Sequence, residues 1–192
     1  QPYGGKGTSE RYPGVQFSQF TGAEMMAKRW ELSREELDSF ALASHQKAVN
    51  ATEGGYFDRE IVPVEGDLPN GEKEMVTVDE GIRFDASEES LSGLNTLSED
   101  GVLTAGTSSQ ICDGAAAIML VNDEGLKKLG LKPRAKVVAL ALAGDDPVIM
   151  LTGPIPASKT VLEKAALDID DIDSVSYTHL RAHETREDLV CR

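Results

Sequence analysis

The side chains that could do chemistry are few and widely spaced in this chain. Its two cysteines, Cys112 and Cys191, are far apart and without a second pair, which argues against a disulfide framework or a Cys/His metal site. Cys112 would be a nucleophile only with a histidine beside it in space; a small buried thiol is the alternative. His45 falls within a predicted helix, where packing is its commoner role. We therefore predict no metal site and no catalytic constellation.

Phosphate-binding and hydrolase motifs are also missing from the sequence. Ser108 and Ser109 lack the Gly-x-Ser-x-Gly pattern of a serine hydrolase, and neither the Gly-x-x-x-x-Gly-Lys nor the Gly-x-Gly-x-x-Gly loop occurs. Lys and Arg total 19 against 33 Asp and Glu, a formal charge of −14. That balance disfavours nucleic acids and acidic membrane surfaces as partners. With no apolar run of about 20 residues and no signal sequence, we expect a cytoplasmic protein.

Two helices are predicted in the first third of the chain, after a loop over residues 1–17. One begins near Thr21, and the next begins after Ser33, because Ser33 and Glu36 have the spacing of a capping box. Gly54 and Gly55 end the second helix. Its apolar stripe consists of Leu37, Phe40, Ala41, Ser44, Ala48 and Ala51.

The remaining chain alternates strand and helix patterns. Short strands are predicted at 61–64 and 75–78 around a turn at 68–73, and a helix at 85–94 capped by Asp85 or Ser87. The apolar runs 115–121 and 134–142 are typical of strands covered on both faces. Helices follow at 123–128, closed by Gly130, and after Pro156. This order indicates a layered α/β protein with an internal boundary at 130–133.

One segment resembles a family signature. Residues 104–117 read T-A-G-T-S-S-Q-I-C-D-G-A-A-A and are similar to the thiolase signature. Four further family landmarks occur in the expected order, at 32–45, 57–63, 79–83 and 146–157. The resemblance covers about residues 15–174 and identifies the chain as an internal part of a thiolase.

The resemblance implies a fold and a domain division. Thiolases are five-layered αβαβα sandwiches made of two similar α/β halves. Residues 1–131 would be the later part of the N-terminal domain with the loop region over the active site, and residues 132–174 the start of the C-terminal domain. The intact parent would be a homodimer or homotetramer.

The resemblance also implies acyl transfer between coenzyme A and a 3-ketoacyl-CoA or acetyl-CoA, in fatty acid metabolism. Coenzyme A and acyl-CoA would be substrates, and no prosthetic group is expected. The reactive cysteine and the later Asn, His and Cys segments would lie outside this chain, so we expect the chain alone to be inactive. Cys112 stands where the family has Asn or Ser and is not expected to be catalytic.

Four residues correspond to family positions around coenzyme A. Ser109 matches a serine that hydrogen-bonds the pantetheine arm, and Ala105 a small residue lining the same tunnel. Arg83 matches an arginine near the nucleotide, and Met150 a residue lining the acyl region. The structural alternatives are a helix cap for Ser109, a solvated charge for Arg83, and core positions for Ala105 and Met150.

Two other functions remain open from the sequence. The first is a non-catalytic thiolase-like protein that binds acyl-CoA without a nucleophile. The second is a structural or interaction domain. Saturable binding of coenzyme A would argue against a structural or interaction domain. A catalytic cysteine and histidine in the flanking sequence would argue against a non-catalytic acyl-CoA-binding protein.

Residues 175–192 are expected to be foreign to the protein. Val175 to Glu184 resemble, codon by codon, a translated transposon-library adapter. The alternative is a basic helix in which His179 and His183 lie at metal-binding spacing. The adapter interpretation excludes both histidines and Cys191 from functional arguments.

Overall fold

The computed structural model describes residues 4–68 and 70–172. In this part of the chain the elements are α1 (Lys6–Arg11), α2 (Gln19–Arg29), α3 (Arg34–Glu53), β1 (Val64–Asp67), β2 (Lys73–Val76), α4 (Glu88–Ser92), α5 (Asp123–Leu129) and α6 (Pro154–Ala165). Short 3-10 turns cover Ala105–Thr107 and Ile169–Asp171. None of the described helices is long and apolar enough to cross a membrane.

The capping box predicted before α3 is confirmed. The Ser33 hydroxyl accepts a hydrogen bond from the Glu36 backbone N–H at 3.2 Å, and the Glu36 carboxylate accepts one from the Ser33 N–H at 2.8 Å. These bonds satisfy two backbone donors that the first helical turn would leave without partners. The helix ends at Glu53, and Gly55 then takes a left-handed backbone with φ of 69°.

Few of the described apolar residues are buried, and they lie on α2, α3, α4 and in loops. Ala48 and Ala51 of α3 are buried, and Leu91 of α4 is 6% exposed. Arg34 joins the two helices: its guanidinium donates to the Leu91 carbonyl at 2.7 Å and forms an ion pair with Asp38 at 2.6 Å. Arg34 thereby supplies a donor to the carboxyl end of α4, where backbone carbonyls lack helical partners.

The two strands form an antiparallel hairpin in which Val64 pairs with Val76. The first strand was predicted at 61–64 but begins at Val64. Pro63 explains this difference, because proline has no N–H to donate to a ladder. The second strand starts at Lys73, two residues before the predicted position, and Gly71 supplies the left-handed residue of the turn with φ of 84°.

The buried strands predicted at 115–121 and 134–142 are wrong for this structure. Both segments lie outside any described strand, and their apolar side chains face solvent, with Ile118 89% and Leu142 99% exposed. A strand is defined by backbone hydrogen bonds to a neighbouring strand, and the described residues form no such bonds with these segments; the Leu140 carbonyl accepts instead from the Lys164 side chain at 3.0 Å. Among residues 4–68 and 70–172, no layer covers these apolar side chains.

Three other predictions can be compared directly. Residues 6–11 form α1 rather than loop, an exposed turn supported by an i,i+4 pair between Lys6 and Glu10 at 3.8 Å. The helix placed after Pro156 begins earlier, at Pro154. The helix closed by Gly130 is confirmed, with φ of 61° at that glycine. The adapter-derived tail predicted at 175–192 lies outside the described residues.

Candidate functional site

A cleft of about 500 Å³ opens between α3, α4 and two irregular segments. Its walls come from α3, from α4 and the residues after it, from residues 83–86, and from residues 105–110. The lining residues are Leu37, Phe40, Ala41, Ser44, His45, Arg83, Asp85, Ala86, Ser90, Leu91, Leu94, Ala105, Gly106, Thr107, Ser108, Ser109 and Gln110. Small-molecule sites in proteins usually span about 300–1,000 Å³, so the cleft is large enough for part of a cofactor-sized ligand.

Three of the four residues singled out in the sequence line this cleft: Arg83, Ala105 and Ser109. All three are exposed to solvent there. Met150 does not line it. Met150 packs instead against α2, where its Cγ lies 3.4 Å from the position a Cβ would take at Gly22. The structure therefore brings together the two signature-loop residues and the arginine, and leaves Met150 in another part of the fold.

The loop that carries Ala105 and Ser109 is folded around one buried threonine. Thr104 is 0% exposed, and its hydroxyl accepts from the Gly106 N–H at 3.2 Å. The Thr104 N–H donates to the Thr107 hydroxyl at 3.0 Å, and the Ser108 hydroxyl donates to the Thr104 carbonyl at 2.8 Å. These side-chain-to-backbone hydrogen bonds replace the backbone ladder of a helix or strand, and they fix the conformation of residues 104–108 in the wall of the cleft.

The start of the same loop is hydrogen-bonded to a carboxylate on α2. Glu24 accepts hydrogen bonds from the backbone N–H groups of Val102, at 3.1 Å, and Leu103, at 3.0 Å. Hydrogen bonds to a charged acceptor are about twice as strong as neutral ones. Glu24 therefore sets where the 104–110 segment enters the cleft wall.

Arg83 lies in a turn that two distant side chains hold. Gln110 donates from Nε2 to the Gly81 carbonyl at 2.7 Å, and the Arg83 backbone N–H donates to His45 Nδ1 at 3.2 Å. Asp79 accepts from the Gly81 N–H at 2.8 Å, and Ile82 is 7% exposed beneath the turn. Neither His45 nor Gln110 was predicted as part of the site, because nothing in their local spacing indicates a partner so far along the chain.

The cleft is lined by one positively charged and one negatively charged side chain. Arg83 and Asp85 are its charged lining residues, so a cation stands in a groove of a strongly acidic chain. Cys112 is exposed and does not line the cleft. Among residues 4–68 and 70–172, no group of His, Cys, Asp and Glu is arranged to hold a metal ion.

Two carboxyl groups outside the cleft have a pKa below the ordinary value for their side chain. The Ser33 backbone N–H, followed by the Ser33 hydroxyl, lowers the pKa of Glu36. The backbone N–H of Asp146, which donates to Asp145 at 2.8 Å, is the main cause of the lowered pKa of Asp145. Both shifts arise from hydrogen bonds that favour the ionised carboxylate, and both belong to local structure rather than to the cleft.

Comparison with known families identifies the chain. An α/β chain with this cleft and this loop matches "Thiolase, N-terminal domain" over residues 16–124. It matches "Thiolase, C-terminal domain" over residues 131–182, a range that includes the first residues of the predicted adapter-derived tail. The chain belongs to the thiolase family.

Individual relatives agree with the family assignment. The chain is 46% identical over 165 residues to the steroid 3-ketoacyl-CoA thiolase FadA6 of Mycobacterium tuberculosis, covering 86% of this chain and 39% of that protein. It is 48% identical over 153 residues to a 3-ketoacyl-CoA thiolase of Aliivibrio fischeri, covering 79% of this chain and 40% of that protein. The chain thus spans about 40% of the length of these relatives.

Solved structures show the same fold. The crystal structure of the Bacillus anthracis acetyl-CoA acetyltransferase has a TM-score of 0.78 and 38% identity, covering 84% of this chain and 41% of that one. Human mitochondrial 3-ketoacyl-CoA thiolase has a TM-score of 0.76 and 37% identity, covering 80% and 39%. The predicted fold class, an α/β part of the layered thiolase sandwich, is therefore confirmed.

Proposed function

We propose that this chain is part of a thiolase that transfers acyl groups between coenzyme A and 3-ketoacyl-CoA or acetyl-CoA, and that its cleft binds coenzyme A. One observation carries the proposal. Arg83, Ala105 and Ser109, singled out from the sequence, line the same cleft although Arg83 is distant from the other two along the chain. The matching relatives are named as thiolases acting on CoA-linked substrates.

Each of the three residues suits a different part of coenzyme A. The Arg83 guanidinium offers planar donors and a permanent charge, which fit a phosphate or an adenine face. The Ser109 hydroxyl can both donate to and accept from an amide of the pantetheine arm. Ala105 has a small side chain, which leaves room for that arm. Apolar lining residues such as Leu37 and Phe40 support the remaining contacts.

The binding proposal is tested by calorimetric titration of coenzyme A into the 192-residue chain. Saturable binding is expected for the wild type and its loss for Ser109→Trp, because the indole fills the cleft. Ser158→Trp is the matched control, since Ser158 is exposed on α6 outside the cleft. Equal binding by both variants, or no saturable binding by the wild type, would overturn the proposal.

Further parts of the proposal concern the complete protein. The parent is an acyltransferase whose reactive residues lie outside this chain, so the chain alone does not turn over substrate. Residues 1–131 belong to the N-terminal domain and residues 132–174 to the C-terminal domain. The parent is a cytoplasmic homodimer or homotetramer. Support for these points comes from the family resemblance and the acidic composition.

A further inference from the structure

We infer that His45 and Gln110 are positioning residues that fix the backbone of Arg83 for ligand binding. This inference rests on the proposed function, because Arg83 is taken to contact coenzyme A. It goes beyond that function by assigning roles to two residues that do not themselves need to touch the ligand. The structural observation is a turn, residues 79–83, whose Gly81 carbonyl and Arg83 N–H are hydrogen-bonded to different walls of the cleft.

The turn needs such support because it has little regular structure. Residues 77–87 belong to neither helix nor strand, and the Arg83 side chain is exposed. An exposed arginine on a free loop would lose backbone and side-chain entropy when a ligand orders it. Fixing the backbone beforehand reduces that cost and directs the guanidinium into the cleft.

Two walls of the cleft, α3 and residues 105–110, contribute one bond each. His45, within α3, accepts from the Arg83 N–H at 3.2 Å, and Gln110, at the end of the 104–110 segment, donates to the Gly81 carbonyl at 2.7 Å. Between the two bonded groups, Ile82 is buried. The turn is therefore held at both a donor and an acceptor, which specifies its orientation as well as its position.

Gln110 also connects the two parts of the proposed ligand site. It follows Ser109 directly in the chain, so the segment that presents the Ser109 hydroxyl also holds the turn that presents Arg83. A change at Gln110 is therefore expected to alter the spacing between Ser109 and Arg83. The affinity of a ligand that contacts both residues would therefore depend on the distance between them.

The bond to His45 depends on the protonation of its ring. A nitrogen that accepts a hydrogen bond carries no proton, so Nδ1 acts as acceptor only in the neutral imidazole. The charged side chains that share the cleft with His45 are Arg83 and Asp85, whereas the lining residues from α4 and from 105–110 are uncharged. Protonation of the ring at low pH would remove the acceptor and bring a second cation beside Arg83.

The first test compares variants that keep or remove the bond. His45→Leu should weaken coenzyme A binding about fivefold, the change expected for a net hydrogen bond of about 1 kcal/mol. His45→Gln is the matched control: its side-chain oxygen can still accept, so binding should stay within about twofold of the wild type. At the other end, Gln110→Glu keeps the shape but loses the donor and should weaken binding by at least as much as His45→Leu. Equal binding by His45→Leu and the wild type would overturn the inference.

The second test does not depend on the ligand. Amide hydrogen exchange at Arg83, followed by NMR, should speed up in His45→Leu and remain slow in His45→Gln. If the wild type fails to bind coenzyme A, the proposed function fails, yet this exchange measurement still decides whether His45 fixes the Arg83 backbone. Unchanged exchange in His45→Leu would exclude that role even if coenzyme A binds.

The pH profile separates positioning from simple packing. Once acidification protonates the His45 ring, wild-type exchange at Arg83 should lose protection beyond the intrinsic effect of pH on exchange. In His45→Gln the same correction should leave a flat profile. Coenzyme A binding is measured over the same pH range for the wild type and for His45→Gln. The ligand phosphate titrates near pH 6 in both measurements, so its effect cancels when the two binding curves are compared. Parallel profiles for the two proteins would contradict the assignment.

Discussion

The carboxylate of Glu24 in α2 accepts a hydrogen bond from the Leu103 backbone N–H at 3.0 Å, and from the neighbouring Val102 N–H at 3.1 Å. Leu103 is 8% exposed, and Thr104 after it is fully buried. The bond therefore determines how the chain enters the segment that carries Ala105 and Ser109.

Removing this carboxylate should destabilise the protein. Glu24→Ala leaves two partly buried N–H groups without an acceptor, which costs about 2 kcal/mol. The free energy of unfolding, measured by urea denaturation, is expected to fall by that amount. Glu163→Ala is the matched control, since Glu163 is exposed on α6 and its loss should change stability by less than about 0.5 kcal/mol. A similar small effect at Glu24 would show that these hydrogen bonds do not stabilise the loop.

A glycine in α2 should not tolerate a methyl group. A Cβ at Gly22 would overlap the backbone carbonyl oxygen of Ile149, a group that cannot rotate away. Gly22→Ala should therefore lower the unfolding free energy by about 1–3 kcal/mol, although alanine favours helices by about 1 kcal/mol. In the control Gly7→Ala, the new methyl group meets nothing within 4 Å in α1, so no destabilisation is expected. A stabilised Gly22→Ala variant in thermal melts would disprove the close approach of α2 to the Ile149 backbone.

The capping box makes part of the stability depend on pH. The Ser33 N–H and hydroxyl lower the pKa of Glu36. A carboxylate with a lowered folded-state pKa stabilises the fold above its unfolded pKa, and that stabilisation disappears as the pH falls through the folded value. In acidic solution, wild-type stability should thus fall more steeply than that of Glu36→Gln. The comparison is made by urea unfolding at a series of pH values.

Glu35→Gln provides the control for that series, because Glu35 lies in the same helical turn but has no bond to Ser33 among those that form the box. Its profile should follow the wild type. Matching slopes for the wild type and Glu36→Gln would mean that the Ser33–Glu36 hydrogen bonds do not persist in solution.

The exposed apolar segments should govern solubility more than stability. Leu142 is 99% exposed and Ile118 89%, and apolar surface of this kind promotes association. Leu142→Lys should raise the soluble concentration and reduce binding of a hydrophobic dye without changing the thermal midpoint. Leu103→Lys, at a buried position, should instead lower that midpoint strongly. Equal destabilisation by both changes would indicate that residues 134–142 are covered in solution.

Local signals predicted the helices well because their causes are local. The box at Ser33 and Glu36, the left-handed Gly130 and the cap at Ser87, whose hydroxyl accepts from the Ser90 N–H at 3.1 Å, all depend on residues within a few positions. Strands depend on neighbours, so an apolar run such as 115–121 indicated burial but could not supply a partner.

Only the site residues that lie in recognisable family motifs could be predicted from the sequence. Ser109, Ala105 and Arg83 were found through resemblance, and they line one cleft. The partnership of His45 with Arg83 joins residues 38 positions apart, and the carboxylate of Glu24 reaches backbone still further along the chain. Such contacts depend on the packing of α2, α3 and the loops, which a linear pattern does not encode. Met150, also chosen by resemblance, lies against α2 rather than in the cleft.

The cleft between α3, α4 and residues 105–110 is proposed to bind coenzyme A, and this binding can be followed residue by residue by NMR titration of the isotope-labelled chain with coenzyme A. We expect saturable shifts of the backbone amides of Arg83, Ala105 and Ser109, with little change at Met150 or along α6. The absence of saturable shifts at those three residues, or shifts confined to Met150 and α6, would contradict it.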